Sequence, residues 1–305
     1  MRILLVGQAA FASRVLERLL ADGDEIAAVV CPPDRGAATD PVKVAAQDRG
    51  IPVHQFASLK RSEARAAFES AAADLAVLAY VTQIVPEPLL ALPRHTAICF
   101  HPSLLPRYRG GSAIPWQLIR GERTTGVTVF WPDAGIDTGP ILLQRSAPVR
   151  PEDTAASLYY EIIFPLGVEA VVESCALIRA GRAPRLPQDE AQATYDPLLT
   201  DEHAGIDWSQ PTAVVHDLVR GCDPQPGAWT MWRGARLRLY GPAPVREGGG
   251  AAPGTVVAID DGGITVATRD GAVCCGRARD GGGKVAAADA ARALGITPGG
   301  RLGDA

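Results

Sequence analysis

The first hundred residues alternate between two kinds of segment, and that alternation restricts the fold more than any other feature. Arg2–Gly7, Glu25–Cys31, Leu75–Ala79 and Thr96–His101 are short apolar runs, and Ile51–His54 is a briefer one. Between them, Ala9–Leu20 places Phe11, Val15, Leu16, Leu19 and Leu20 at helical spacing. Pro41–Arg49 has its proline where a first helical turn accepts one, and Arg61–Ala73 is Ala-rich with charges on one face. Buried strands alternating with amphipathic helices predict an α/β fold, a Rossmann-like, mostly parallel sheet covered on both faces. Such sheets bind ligands beyond the carboxyl ends of their strands.

The alternation then changes. Ala113–Arg120 reads as a short helix, Thr125–Trp131 and Ile141–Val149 as strands, and Asp153–Ala180 as one long helix capped by Asp153 or Thr154. Gly181–Thr200 is rich in Pro, Gln and Asp and reads as a linker. Beyond it come a helix at Pro211–Arg220 and a hairpin of Trp229–Arg233 and Arg236–Tyr240 across Gly234. Three strands follow, Gly254–Asp260, Gly263–Thr268 and Ala272–Gly276, then a helix at Ala286–Leu294. Five short strands predict a small open β-barrel of the OB type. The expected organisation is a catalytic domain over 1–180, a linker over 181–204 and an OB-like domain over 205–305. Arg233, Arg236 and Arg238 cluster in the last, as a solvated strand face rather than a nucleic-acid patch.

Composition narrows the function. Over 305 residues, 47% are apolar and 21% charged, and the net charge is −4. That balance exerts no general pull on nucleic acid or an anionic membrane. No apolar run approaches the length of a membrane span, and the chain opens on a strand rather than a signal peptide. Cys31, Cys99, Cys175, Cys222, Cys274 and Cys275 form no Cys-x-x-Cys pair. The expectation is therefore no metal and a cytoplasmic protein with reduced thiols. Gly7-Gln8-Ala9-Ala10-Phe11 lacks the second glycine of a dinucleotide fingerprint, so no NAD is expected.

The chemistry concentrates between Cys99 and Gln144. His101 directly follows the apolar run Ala97–Phe100 and directly precedes Pro102. Asp137 sits in a Gly-rich turn between the apolar runs Gly126–Trp131 and Pro140–Gln144. Both fall where strands end. A histidine there can take and return a proton, and a carboxylate can orient it or hold a nucleophile. Singly, each also reads as an ordinary strand-end or turn residue. Ser103-Leu104-Leu105-Pro106 then leaves two leucines in a Pro-bounded loop, and a loop that stays apolar usually lines something.

Two blocks carry a family resemblance. His101-Pro-Ser-Leu-Leu-Pro-Arg-Tyr-Arg-Gly110 and Asp133-Ala-Gly-Ile-Asp-Thr-Gly139 resemble the formyltransferases that use 10-formyltetrahydrofolate. Ser112–Trp116, Val129–Trp131, Pro140–Gln144 and Leu158–Gly167 look like the hydrolase-domain branch of 10-formyltetrahydrofolate dehydrogenase. Pro187–Tyr195 resembles the family's interdomain segment. The resemblance covers essentially the whole chain and implies 10-formyltetrahydrofolate as co-substrate. His101 would stabilise a tetrahedral oxyanion or shuttle its proton, and Asp137 would orient the nucleophile. Gln83, Ile84 and Val85, in the loop after Leu75–Ala79, and Ser103, Leu104, Leu105 and Pro106 would shape the folate pocket together with Asp137. Read without the family, Ile84 and Val85 also suit a loop packing on the next helix.

One position departs from the pattern. The transferases usually carry Asn two residues before the His, where its N–H can donate to the oxyanion; here stands Cys99. The hydrolase branch also lacks Asn there. Cys99 reads as a packed thiol, with a nucleophilic role as the alternative. The implied acceptor is a small-molecule amine, or water. Methionyl-tRNA is the alternative, disfavoured because Pro32–Lys43 sets Arg35 and Lys43 against Asp34 and Asp40 and is locally neutral. A non-catalytic folate binder is the reading from another class. A chain without a carrier region and an aldehyde dehydrogenase domain is not expected to oxidise the formyl group alone.

Overall fold

A computed structural model describes residues 1–34, 36, 38–245 and 250–303, so Arg35 lies outside the described residues. Seven strands form one sheet: β1 (Arg2–Gly7), β2 (Glu25–Cys31), β3 (Val53–Gln55), β4 (Leu75–Ala79), β5 (Ala97–His101), β6 (Thr124–Phe130) and β7 (Ile141–Pro148). Their order is β3-β2-β1-β4-β5-β6-β7. The pairs β1–β2, β2–β3, β1–β4 and β4–β5 are parallel, and β5–β6 is antiparallel. The mostly parallel Rossmann-like sheet is therefore present. Its strand order reverses between β1 and β4, the point where such sheets open a crevice.

The helices form for local reasons. α1 (Ala9–Ala21) buries Phe11, Ala12, Val15, Leu16 and Leu19, the apolar stripe of its sequence. α2 (Pro41–Gln47) starts with its proline in the first turn, and the Asp40 side chain accepts from the Val42 N–H. The same carboxylate accepts from the Ala9 N–H at 2.9 and 3.0 Å. It fills the start of α1, where dinucleotide folds receive a phosphate. α3 (Ser62–Ala71), the four-residue α4 (Glu87–Leu90) and α5 (Ala113–Ile119) follow.

The predicted long helix is not continuous. α6 (Ala155–Ser157) begins at Thr154, which forms a capping box with Ser157. A π-helical stretch, Leu158–Ile163, then leads into α7 (Phe164–Arg179). The register changes just before Pro165, which has no N–H to give the carbonyl four residues back.

The chain divides into two compact units. One comprises Met1–Gly111, Gly126–Ala147 and Glu161–Tyr195; the other comprises Ser112–Thr125, Pro148–Tyr160 and Asp196–Ala305. The division falls inside the segment read as a linker and gives α5 to the second unit. There α5 packs on α8 (Thr212–Gly221), where a Cβ on Gly221 would lie 2.6 Å from the Ile119 side chain and 3.0 Å from the Pro115 carbonyl oxygen.

The second unit also holds β8 (Ala228–Trp232), β9 (Ala235–Val245), β10 (Val256–Asp260), β11 (Gly263–Ala267), β12 (Ala272–Arg279), the two-residue β13 (Val285–Ala286) and α9 (Ala287–Leu294). The strands run β10-β11-β12-β9-β8, with β13 on β12, and each neighbouring pair is antiparallel. β8 and β10 do not pair among the described residues, so the sheet stays open. Arg233 and Gly234 both take left-handed backbone (φ +49° and +78°), the two-residue hairpin that Gly234 announces. Of the predicted arginine cluster, Arg238 donates to Asp201 at 2.7 and 2.9 Å and Arg236 lies over Trp229.

Candidate active site

Side chains alternate across a strand, so Phe100 faces one side of β5 while Cys99 and His101 share the other. Phe100 stacks on Phe11 with ring centroids 4.4 Å apart, and Phe11 meets Phe164 edge-on at 5.4 Å. That aromatic layer fixes the strand behind His101. The next residues are held from the other side by Thr128, which pairs with His101 in the β5–β6 register. Its Oγ1 donates to the Ser103 carbonyl at 2.7 Å and accepts from the Leu105 N–H at 3.1 Å. Gln144 Nε2 donates to the Leu105 carbonyl at 2.8 Å.

His101 is buried, and its Nε2 lies 2.7 Å from the Tyr108 carbonyl oxygen. A carbonyl only accepts, so Nε2 carries the hydrogen, and in the neutral ring Nδ1 carries the lone pair. Nδ1 faces Asp137 Oδ2 at 3.5 Å. The sequence-predicted pair therefore meets in space, with Nδ1 as the ring nitrogen turned towards the carboxylate.

Asp137 reaches this place on a tight turn. Asp133 Oδ1 accepts from the Gly135 N–H at 3.0 Å and the Thr138 hydroxyl at 2.6 Å. The Trp131 N–H donates to the Pro140 carbonyl at 2.9 Å. Gly139 packs its α-carbon against the Trp131 carbonyl, leaving no room for a Cβ. Asp137 itself has φ +57°, a left-handed backbone that Asp tolerates better than most side chains. Its Oδ2 accepts from the Gly110 N–H at 2.8 Å. The carboxylate thus joins the loop after β5 to the imidazole.

Against this geometry, comparison with known proteins is direct. The model of the formyl transferase family matches residues 1–172, and that of the formyl transferase C-terminal domain matches residues 198–293. The chain belongs to the formyl transferase family. It is 38% identical over 279 residues to a methionyl-tRNA formyltransferase of Geotalea uraniireducens (strain Rf4), covering 90% of this chain and 88% of that one. It is 43% identical over 246 residues to the mitochondrial 10-formyltetrahydrofolate dehydrogenase of Mus musculus, covering 79% of this chain and 27% of the relative. The chain thus spans about a quarter of the length of such dehydrogenases. Among solved structures, HypX from Aquifex aeolicus in complex with tetrahydrofolic acid has a TM-score of 0.71 at 24% identity, over 96% of this chain and 47% of that one.

In this formyltransferase chain, Cys99 lies beside the His101–Asp137 pair. Burial first, and then the Asp137 charge, push its thiol far above the usual thiol range. A thiol held protonated at neutral pH is a poor nucleophile, which supports the packed-thiol reading of Cys99 over the nucleophilic one.

The predicted pocket residues separate into two groups. Gln83 is half-buried, donates to the Phe56 carbonyl at 3.0 Å and lines a crevice at the ends of β1, β2 and β4 with Gly7, Gln8 and Tyr80. Ile84 is 72% exposed, so it does not pack on the next helix, whereas Val85 is buried in the core with Leu89 and Leu90. Ser103 and Leu105 are buried too, and the Ser103 hydroxyl donates to the Arg107 carbonyl at 2.6 Å, pinning its own loop. Leu104 packs over Gly126, and Pro106 is half-buried. The crevice encloses only about 10 Å³, room for one water at most, and neither His101 nor Asp137 lines it.

Four contributors escaped the sequence reading: the Tyr108 carbonyl, the Gly110 N–H, Arg109 and Gln188. The first two are backbone groups, which carry no residue-type signal. Gln188 lies in the segment read as a linker. That segment instead joins the site: Thr194 Oγ1 accepts from the Tyr108 N–H at 2.7 Å and the Thr194 carbonyl from the Arg109 N–H at 2.9 Å.

Proposed function

We propose that this chain transfers the formyl group of 10-formyltetrahydrofolate to a small-molecule amine, with water as the competing acceptor, and releases tetrahydrofolate. The observation that carries this reading is His101 Nδ1 facing Asp137 Oδ2 at 3.5 Å at the end of a parallel-sheet strand. The acceptor nitrogen attacks the formyl carbon, the carbonyl π bond opens to an oxyanion, and the bond to folate N10 then breaks. Asp137 orients the acceptor and takes up its proton load with His101. A proton held at Nδ1 stabilises the oxyanion and is then available to the departing N10. The exposed Ile84 beside Gln83 offers an apolar face and an amide, which suits one face of a pterin ring. A formyl transferase C-terminal domain accompanies the catalytic one, and it would be idle in a pure hydrolase, which supports an amine over water.

Water is favoured by one specific observation. Cys99 stands where the transferases place an amide donor, and its thiol is a weak donor. Both readings meet in one assay: tetrahydrofolate release from 10-formyltetrahydrofolate, with and without a mixed amine pool. Release only with the pool establishes a transferase, and fractionating the pool names its acceptor. Release without any amine establishes a hydrolase. No release under either condition refutes the proposal, with His101→Ala as the control for background hydrolysis.

A further inference from the structure

We infer that Gln188 is a positioning residue that sets the Asp137 carboxylate through the backbone of its turn; this rests on the proposed role of Asp137 in the reaction. The Gln188 amide nitrogen donates to two carbonyls at once, Asp137 at 2.8 Å and Gly139 at 2.7 Å. Both of its hydrogens are thereby used. Its Oε1 accepts from Arg109 Nε at 3.2 Å and Nη2 at 2.7 Å. The amide can face only one way, because a flip would set its oxygen against two carbonyls and its NH₂ against a guanidinium. Arg109 is buried and is itself fixed by Glu190, at 2.6 and 2.9 Å.

The clamp acts at both ends of the Asp137 contact. On one side it holds the carbonyls flanking the left-handed turn (Asp137 φ +57°). On the other, Arg109 directly precedes Gly110, whose N–H donates to the Asp137 carboxylate at 2.8 Å. Arg109 and Gln188 therefore tie the loop that supplies the donor to the turn that supplies the acceptor. Without the amide donors, the disfavoured turn can relax and the carboxylate leaves its place beside His101. Misplacement of a reacting group by about 1 Å costs on the order of 100-fold in rate.

The test uses Gln188→Met, which removes both donors at similar size, and Gln188→Glu, which keeps a partner for Arg109 but turns donors into acceptors. Amide hydrogen exchange is read at Gly110, with Leu5 in β1 as the reference for global opening. Turnover is read with 10-formyltetrahydrofolate. The expected result is roughly tenfold faster exchange at Gly110 with Leu5 unchanged, kcat down about 10–100-fold, and KM for the donor within about twofold. In an Asp137→Asn background, Gln188→Met adds no further loss, because it acts through the group already removed. Wild-type exchange at Gly110 in both variants overturns the inference. So does a full multiplicative loss on top of Asp137→Asn, or acceleration at Leu5 equal to that at Gly110 in both variants. If Asp137→Asn alone turns over like the wild type, it is the functional reading that fails; Gly110 exchange still reports the positioning.

Discussion

Replacing Cys99 with Asn tests whether this position faces the formyl oxygen. Cys99 shares a face of β5 with His101, and its thiol is pushed strongly upward by burial and by the Asp137 charge. It therefore stays neutral, and a neutral thiol donates weakly. A positioned amide donor at an oxyanion is worth about 2.7–4 kcal/mol, or roughly 10²–10³ in kcat. The gain here is smaller, because the site is built around a thiol whose own polar contact is the Phe100 carbonyl at 3.6 Å. An amide group left without a partner in the free protein costs about 1–3 kcal/mol. In a chain of this size each kcal/mol lowers Tm by about 1.5 °C. Cys99→Asn should therefore raise kcat at least about tenfold while Tm drops by a few degrees, and the two effects are separable. The assay is single-turnover tetrahydrofolate release beside a thermal melt, with Cys99→Ala as the control that keeps activity. A folded Cys99→Asn protein with kcat at or below the wild type would show that residue 99 does not reach the oxyanion. An inactive Cys99→Ala would show that the thiol itself takes part in the reaction.

Three further outcomes follow from the same geometry. His101→Ala should lower turnover by about 10²–10⁴-fold while leaving donor affinity, measured by fluorescence titration with tetrahydrofolate, within a few-fold. Gly139→Ala should destabilise by about 1–3 kcal/mol in urea melts, since the new Cβ meets the Trp131 carbonyl, and should slow turnover because Asp137 sits on the same turn. Asp153 is fully buried: burial alone would raise its carboxyl, but bonds from the Arg150 side chain and backbone and from Ser157 outweigh this and hold it below the usual range. Asp153→Ala should cost about 1–3 kcal/mol at pH 7, because the Arg150 N–H and the Ser157 hydroxyl lose their acceptor while the Arg150 side chain stays half-exposed. Because the folded value lies below the unfolded one of about 3.9, that contribution is fully present above it and disappears as the pH falls through the folded value. The gap between wild type and Asp153→Ala should accordingly close in acid melts, and a constant gap down to pH 2 would refute the assignment.

What the sequence reveals and what it hides have physical causes. The sheet was legible because its strands are buried on both faces and read as unbroken apolar runs; β1, β2, β4 and β5 fall within a residue or so of the runs that predict them. The β8–β9 hairpin was legible because a two-residue loop needs left-handed backbone, and Gly234 supplies it cheaply. The long helix was misread at Leu158–Ile163, where residues of ordinary helical composition adopt π geometry ahead of Pro165; periodicity does not encode that change of register. His101 and Asp137 announced themselves by chemistry at strand ends. Their alignment is set by groups that composition does not mark: the Tyr108 carbonyl at 2.7 Å, the Gly110 N–H at 2.8 Å and the two-armed amide of Gln188. Gln188 was placed in a linker because Pro, Gln and Asp resemble solvated chain. A polar segment is legible as a linker only if its donors go to water. Here the Gln188 donors go to the backbone of the turn that carries Asp137, so this part of the segment is bound structure rather than solvated chain.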